Sequence, residues 1–275
     1  MKHTEKKIIT LPAGAELVDT HCHLDMDDYG QDLDTVLVTA GTSGISKIVT
    51  IGIDYQSSLN SIKLARRYEQ IYAAVGVHPH NAGTVSESEY QELARLVEDP
   101  ANKIVAYGEI GLDYFRGRCP KDIQLTHFER QLQLAKELSL PIIIHDRDAH
   151  EDIMRLLKRY APFQASGVMH CFSGDLNLAR ETMELGLYIS IPGIVTFKKS
   201  EMLQEVAQNI PLERMLLETD GPFLAPVPHR SKRNQPSYLV YTVAAIAKIR
   251  NISPETIAQA TTANAFELFG LGLRA

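Results

Sequence analysis

The chain has 275 residues, 44% of them hydrophobic and 23% charged, with a formal net charge of -6. This is the composition of an ordinary soluble globular protein, long enough to bury a large single core. The acidic balance argues against a protein held on duplex DNA by a broad basic face. It leaves room for an enzyme that meets nucleic acid in a metal-lined cleft, where the metals supply positive charge.

Residues 1–15 read as an N-terminal extension and 16–275 as a single domain, with no linker or low-complexity stretch between. The N-terminus lacks the apolar core and cleavage site of a signal peptide. No stretch approaches the roughly 20 apolar residues that span a bilayer. Cys22, Cys119 and Cys171 show no CxxC spacing and suggest a reducing compartment without disulfides. A cytoplasmic protein with no membrane association is expected.

The first apolar run, Leu17-Val18, leads into Asp19-Thr20-His21-Cys22-His23. Side chains alternate along a strand, so His21 and His23 share one face and Cys22 takes the other. Two imidazoles side by side at a strand end can reach one metal ion, without choosing which metal. Seven more runs follow: Lys47–Ile53, Ile71–Val77, Ile104–Glu109, Pro141–His145, Gly167–His170, Leu187–Ile191 and Met215–Asp220. Continuous apolar runs of this length read as strands buried on both faces of a parallel sheet. Between them lie amphipathic stretches such as Gln124–Leu138, Ile153–Tyr160 and the segment of Leu178, Met183 and Leu185, capped by Asp175 or Asn177. Two helical stretches, near 236–250 and 254–269, follow the last run, the second opened by Ser253-Pro254-Glu255. The pattern predicts an α/β fold, a (β/α)8 TIM barrel with an additional C-terminal helix.

In such a barrel the active site lies at the C-terminal strand ends. There stand His21 and His23, His78 and His80, Glu109, His145, His170 and Asp220. Several imidazoles with two carboxylates exceed what one tetrahedral zinc needs. They suit two divalent ions about 3.5–4 Å apart, bridged by a carboxylate. His78 is expected to reach the cavity as a substrate-binding residue, for a phosphate or an optional third metal. His80, beyond Pro79, is expected to face the rim. Arg147, two residues past His145, and the cluster Arg230, Lys232 and Arg233 are candidate phosphate contacts able to steer an anion.

These residues sit in stretches that resemble the TatD family of metal-dependent deoxyribonucleases, among the amidohydrolase-like metal barrels. The matching stretches are Asp19–Leu24, Val75–His80, Gly108–Tyr114, Pro141–Ala149, Met169–Gly174, Leu217–Asp220, Lys232–Asn234 and Thr261–Ala265. The resemblance runs from about residue 16 to 270. It implies one metal on His21, His23 and Asp220, a second on His145 and His170, and Glu109 bridging them. It implies dependence on divalent metal and DNA ends or strands as substrate; the site could take Zn, Mg or Mn, single strands or ends are the expected DNA form, and a monomer with no obligate protein partner is expected. Catalysis would rest on Glu109 and on Asp220, which orients or deprotonates the attacking water. Gly221, Ser231 and Gln235 stand where Ser, Gly and Glu are usual. The competing reading is a small-molecule hydrolase for a lactone, cyclic amide or phosphoester on the same barrel, because fold alone does not separate the two.

Overall fold

A computed structural model describes residues 15–272. The expected N-terminal extension therefore lies, but for Ala15, outside the described residues. Eight strands pair in sequence order, each parallel to the next: β1 Leu17–Cys22, β2 Ile45–Ile51, β3 Ile71–Val75, β4 Ile104–Asp113, β5 Ile142–Arg147, β6 Gly167–Met169, β7 Tyr188–Ile191 and β8 Met215–Leu217. A helix follows each: α1 Leu33–Thr42, α2 Tyr55–Arg67, α3 Glu87–Val97, α4 Lys121–Glu137, α5 His150–Tyr160, α6 Leu176–Glu184, α7 Glu201–Asn209 and α8 Leu239–Arg250. The predicted TIM barrel is thus present, and α9 Pro254–Phe269 is the additional C-terminal helix. Local chemistry sets the helix starts. The Asp175 side chain accepts the Leu178 N–H at the start of α6, and Ser253 accepts that of Thr256 at the start of α9. Asn177 lies inside α6 and is not the cap. No described helix is long and apolar enough to cross a membrane.

The core has two compartments. Outward-facing strand residues such as Ile48, Ile71, Ile142 and Met215 pack under the helices. The second compartment takes Val18, Val49, Ala74, Val105, Ile143, Val168, Tyr188 and Leu216, at least one from every strand, so it is the barrel interior. Ala265, Leu268 and Phe269 of α9 pack into this same group. Asn264 Nδ2 donates to the carbonyls of Leu212 and Met215, and Thr262 Oγ1 to that of Glu16. These are the starts of β8 and β1, so α9 covers the N-terminal mouth and leaves the C-terminal mouth for chemistry.

The seam between β1 and β8 is closed by side chains together with two backbone bonds, from the His23 N–H to the Gly221 carbonyl and from the Asp220 N–H to the His21 carbonyl. Among the described residues its one bridge is Cys22 to Gly221. The buried Asp19 carboxylate accepts from the Thr219 N–H at 2.9 Å and the Thr219 hydroxyl at 2.6 Å. Thr20 Oγ1 donates to the Leu217 carbonyl at 3.0 Å. Burial pushes the Asp19 carboxyl up to about 7, against the pull of its Thr219 bonds. Asp19→Ala leaves the buried Thr219 N–H unpaired and should cost about 1–3 kcal/mol in chemical denaturation of metal-free protein. Asp19→Asn keeps an acceptor and should cost much less; equal losses would show that the seam does not depend on this bond.

Candidate active site

The side chains at the open mouth converge from six strands. Glu109 sits where the β4–β5 register slips between Tyr107 and Ile110, the kind of irregularity that re-aims a side chain inward. Two residues on, Gly111 has φ +145°, and a Cβ there would run into the His145 carbonyl oxygen. Only glycine lets β4 approach β5 closely enough to set Glu109 against His145.

Glu109 is 2% exposed, and its two oxygens face two groups of imidazoles. Oε1 lies 2.6 Å from His145 Nδ1 and 2.7 Å from His170 Nε2, with His78 Nε2 at 3.7 Å. Oε2 lies 3.4 Å from His21 Nε2 and 3.9 Å from His23 Nε2. On that second side Asp220 Oδ1 stands 3.5 Å from His23 Nε2 and 3.9 Å from His21 Nε2. The Asp220 backbone has the left-handed φ of 55° and donates its N–H to the His21 carbonyl at 2.9 Å. Cys22 faces the other way, toward the Tyr29 hydroxyl and the Gly221 carbonyl, as alternation predicts.

Burial alone would push the Glu109 carboxyl up. The imidazoles of His170 and His78, and hydrogen bonds from His145 and His170, outweigh it and hold the group well below the usual carboxylate range. Burial pulls His170 down, but Glu109 and Glu218 raise it well above an ordinary imidazole. His145 and His23 are also raised against burial, the first by Asp113 and Glu109, the second by Asp220 and Glu109. His21 is lowered to about 4 by burial and then by His170, on which its ring stacks at 3.9 Å between centroids. His21 is fully buried, and neither of its ring nitrogens has a hydrogen bond. An unpaired buried imidazole costs free energy that a bound cation would offset. His21, His23 and Asp220 can converge on one ion, and so can His78, Glu109 and His145. His170 Nε2 stands 3.3 Å from His145 Nδ1, beside the second group. Neutral nitrogens and carboxylate oxygens together are the donor set of a borderline divalent metal.

Several residues that sequence reasoning gave no role support this set. Asp113 Oδ2 is 3.3 Å from His145 Nε2 and 2.9 Å from His80 Nε2, while its Oδ1 accepts the Arg116 N–H. A carboxylate on the far nitrogen of a ligand histidine fixes its tautomer and raises its basicity. His80 therefore turns inward to Asp113 instead of facing the rim. Asp113 lies four residues past Glu109 on one strand, hence on the same face, and that spacing could have found it. Glu218 plays the matching part for His170, 3.5 Å from its Nδ1, and accepts the Cys171 N–H.

The basic residues divide. Arg147 and Arg230 are exposed, their guanidinium carbons 4.3 Å from the Phe115 ring and 4.7 Å from the Phe197 ring. Arg233, expected on the substrate rim, instead forks Asp32 at 2.8 and 2.7 Å and donates to the Asp28 carbonyl. Its neighbour Asn234, fully buried, donates to the carbonyls of Thr219 and Phe223 and clamps the loop that carries Asp220. Gly221 has a local reason too, since a Cβ there would run into the Tyr29 hydroxyl.

Histidines and carboxylates gathered at the C-terminal mouth of a parallel barrel are the working parts of the metal-dependent hydrolases. The particular family follows from comparison: the model described as "TatD related DNase" matches residues 18–270, and the chain belongs to that family. The chain is 44% identical over 254 residues to the "uncharacterized metal-dependent hydrolase YabD" of Bacillus subtilis, covering 92% of this chain and 98% of that one. It is 35% identical over 258 residues to the "3'-5' ssDNA/RNA exonuclease TatD" of Salmonella typhimurium, covering 92% and 98%. The crystal structure of YjjV, a TatD homologue from Escherichia coli, superposes with a TM-score of 0.86 at 32% identity over 93% of this chain and 98% of that one. The protein is a metal-dependent hydrolase of the TatD family.

Two outcomes follow for metal binding. Asp113 and Glu109 beside His145, and Glu109 and Glu218 beside His170, favour the protonated imidazoles, so metal binding by either would first require loss of a proton. Uptake of Zn or Mn should therefore release protons, and calorimetric affinity should rise as pH increases through and above the ordinary imidazole range. A flat profile would mean these imidazoles are not ligands. Asp113→Ala should weaken metal binding by about 10–100-fold while the circular dichroism spectrum stays unchanged.

Proposed function

We propose that the protein is a two-metal deoxyribonuclease that cleaves phosphodiester bonds at DNA ends or in single strands. The observation that carries this reading is the division of Glu109, with one oxygen toward His145 and His170 and the other toward His21 and His23. One divalent ion would rest on His21, His23 and Asp220 and the other on His145 and His170, with Glu109 giving an oxygen to each. Zn, Mg and Mn are all compatible with such a mixed set. When bound, such ions supply Lewis acidity at a phosphoryl oxygen and lower the pKa of water.

The chain's own side chains do the rest. Asp220 stands at the mouth, its side chain 12% exposed, where its carboxylate can orient the attacking water and take a proton from it. His78 is held neutral by burial and by the neighbouring His145. Its Nδ1 accepts the His80 N–H at 3.1 Å, which leaves the proton on Nε2, aimed toward Glu109 and the mouth. That N–H can donate to a phosphoryl oxygen as charge builds on it. Arg147 and Arg230 offer exposed cations to phosphates farther along the strand. The naming of the Salmonella relative as an ssDNA/RNA exonuclease supports a nucleic-acid substrate, with RNA as a second polymer to test.

The discriminating experiment is a product profile on end-labelled single-stranded and duplex DNA, with metals added singly to metal-free protein. Stepwise shortening from an end is expected; turnover of a lactone with no oligonucleotide cleavage would overturn the reading. Glu109→Gln should lower turnover by orders of magnitude while folding normally. Arg230→Ala should raise KM on long DNA and reduce the salt slope by about one, leaving a small phosphodiester unaffected. His78→Ala should keep two ions per chain by metal analysis yet cleave more slowly.

A further inference from the structure

The mouth of the barrel carries apolar surface that the chemistry above does not use. Among the described residues the exposed large hydrophobics are Val38, Phe115, Met202, Phe223, Leu224 and Val227. Val38 and Met202 lie on outer helices, but the other four belong to the loops that follow β4 and β8, at the C-terminal mouth. Phe223 is 48% exposed, and its ring centroid lies 6.0 Å from that of His23. Its backbone is pinned on both sides: its N–H donates to the Asp220 carbonyl, and its carbonyl accepts from the buried Asn234 side chain. Leu224 beside it is 39% exposed in the left-handed region at φ 54°, where a branched apolar residue has no local reason to sit. These hydrogen bonds tie down the Phe223 backbone while the apolar groups stay in water. Phe115 is 58% exposed, with the Arg147 guanidinium 4.3 Å from its ring centre.

We propose that Phe223, with Phe115 on the β4 side of the mouth, is a stacking platform for unpaired nucleobases that flank the scissile phosphate. The inference rests on the nuclease reading and narrows it to strands whose bases are free to leave a duplex. Charge complementarity selects the occupant. An apolar ring beside a metal centre, with an arginine at the same mouth, matches a base with its phosphates and not an apolar peptide. Ring stacking tolerates any base, so the platform would favour single strands over duplex without reading sequence. A backbone already held by hydrogen bonds at Phe223 lowers the ordering cost of binding.

The test compares wild type, Phe223→Ala and Phe223→Trp. Anisotropy binding uses a nuclease-resistant phosphorothioate single strand and a matched strand whose sugars lack bases; KM is measured on the cleavable forms. Phe223→Ala should weaken binding and raise KM about tenfold on the base-bearing strand. It should leave the base-free strand unchanged, and Phe223→Trp should restore the loss. Equal loss on both strands would mean that Phe223 only shapes the loop, and no loss on either would mean that the ring meets something else, such as a protein; both overturn the platform. Wild-type protein that binds the base-bearing strand through Phe223 but cleaves no DNA would keep the platform and refute the nuclease reading.

Discussion

A single buried carboxylate has to be satisfied from two sides. Glu109 is almost fully removed from water, and an ionised carboxylate in that position is tolerated only when donors or cations surround it. Imidazoles do so, with His145, His170 and His78 about one oxygen and His21 and His23 about the other. The same electrostatics raises His145, His170 and His23 and lowers Glu109, so each group's protonation depends on the rest. A metal ion entering such a site would displace protons from these imidazoles and take over their part in neutralising Glu109.

That arrangement demands accurate backbone in two places. One is the contact of β4 with β5, where the register slip and Gly111 bring Glu109 against His145. The other is the seam of β1 and β8, which carries His21, His23 and Asp220 and whose bridge, Cys22 to Gly221, falls just beyond the end of β8. Asp19, Thr219 and Asn234 add side-chain hydrogen bonds there to the two backbone bonds that join Asp220 to His21 and His23 to Gly221. The polar residues around the centre thus serve largely to hold the candidate ligand side chains in place, as the Asp113 and Glu218 carboxylates do for His145 and His170.

Much of this was legible beforehand. Eight apolar runs became eight strands, because two-sided burial imposes a continuous apolar pattern that periodicity can detect. Residues ending those runs gathered at one mouth, because a parallel barrel puts all C-terminal strand ends together. His80 and Arg233 were read differently from where they stand. Whether a loop histidine turns in or out depends on a carboxylate from another strand, Asp113. Whether an arginine is free depends on an aspartate some 200 positions away, Asp32.

Composition, hydrophobic period and motif spacing determined by themselves the barrel, the end of it that bears the chemistry, and the residue types able to hold a metal. Those properties are set by local pattern together with the few topologies that parallel strands allow. Only the tertiary structure decided which oxygen of Glu109 meets which imidazole, which carboxylates brace the ligands, and which arginines and aromatic rings remain exposed. Those outcomes turn on distances between residues far apart in the chain, which close packing settles to a fraction of an ångström and linear order does not encode.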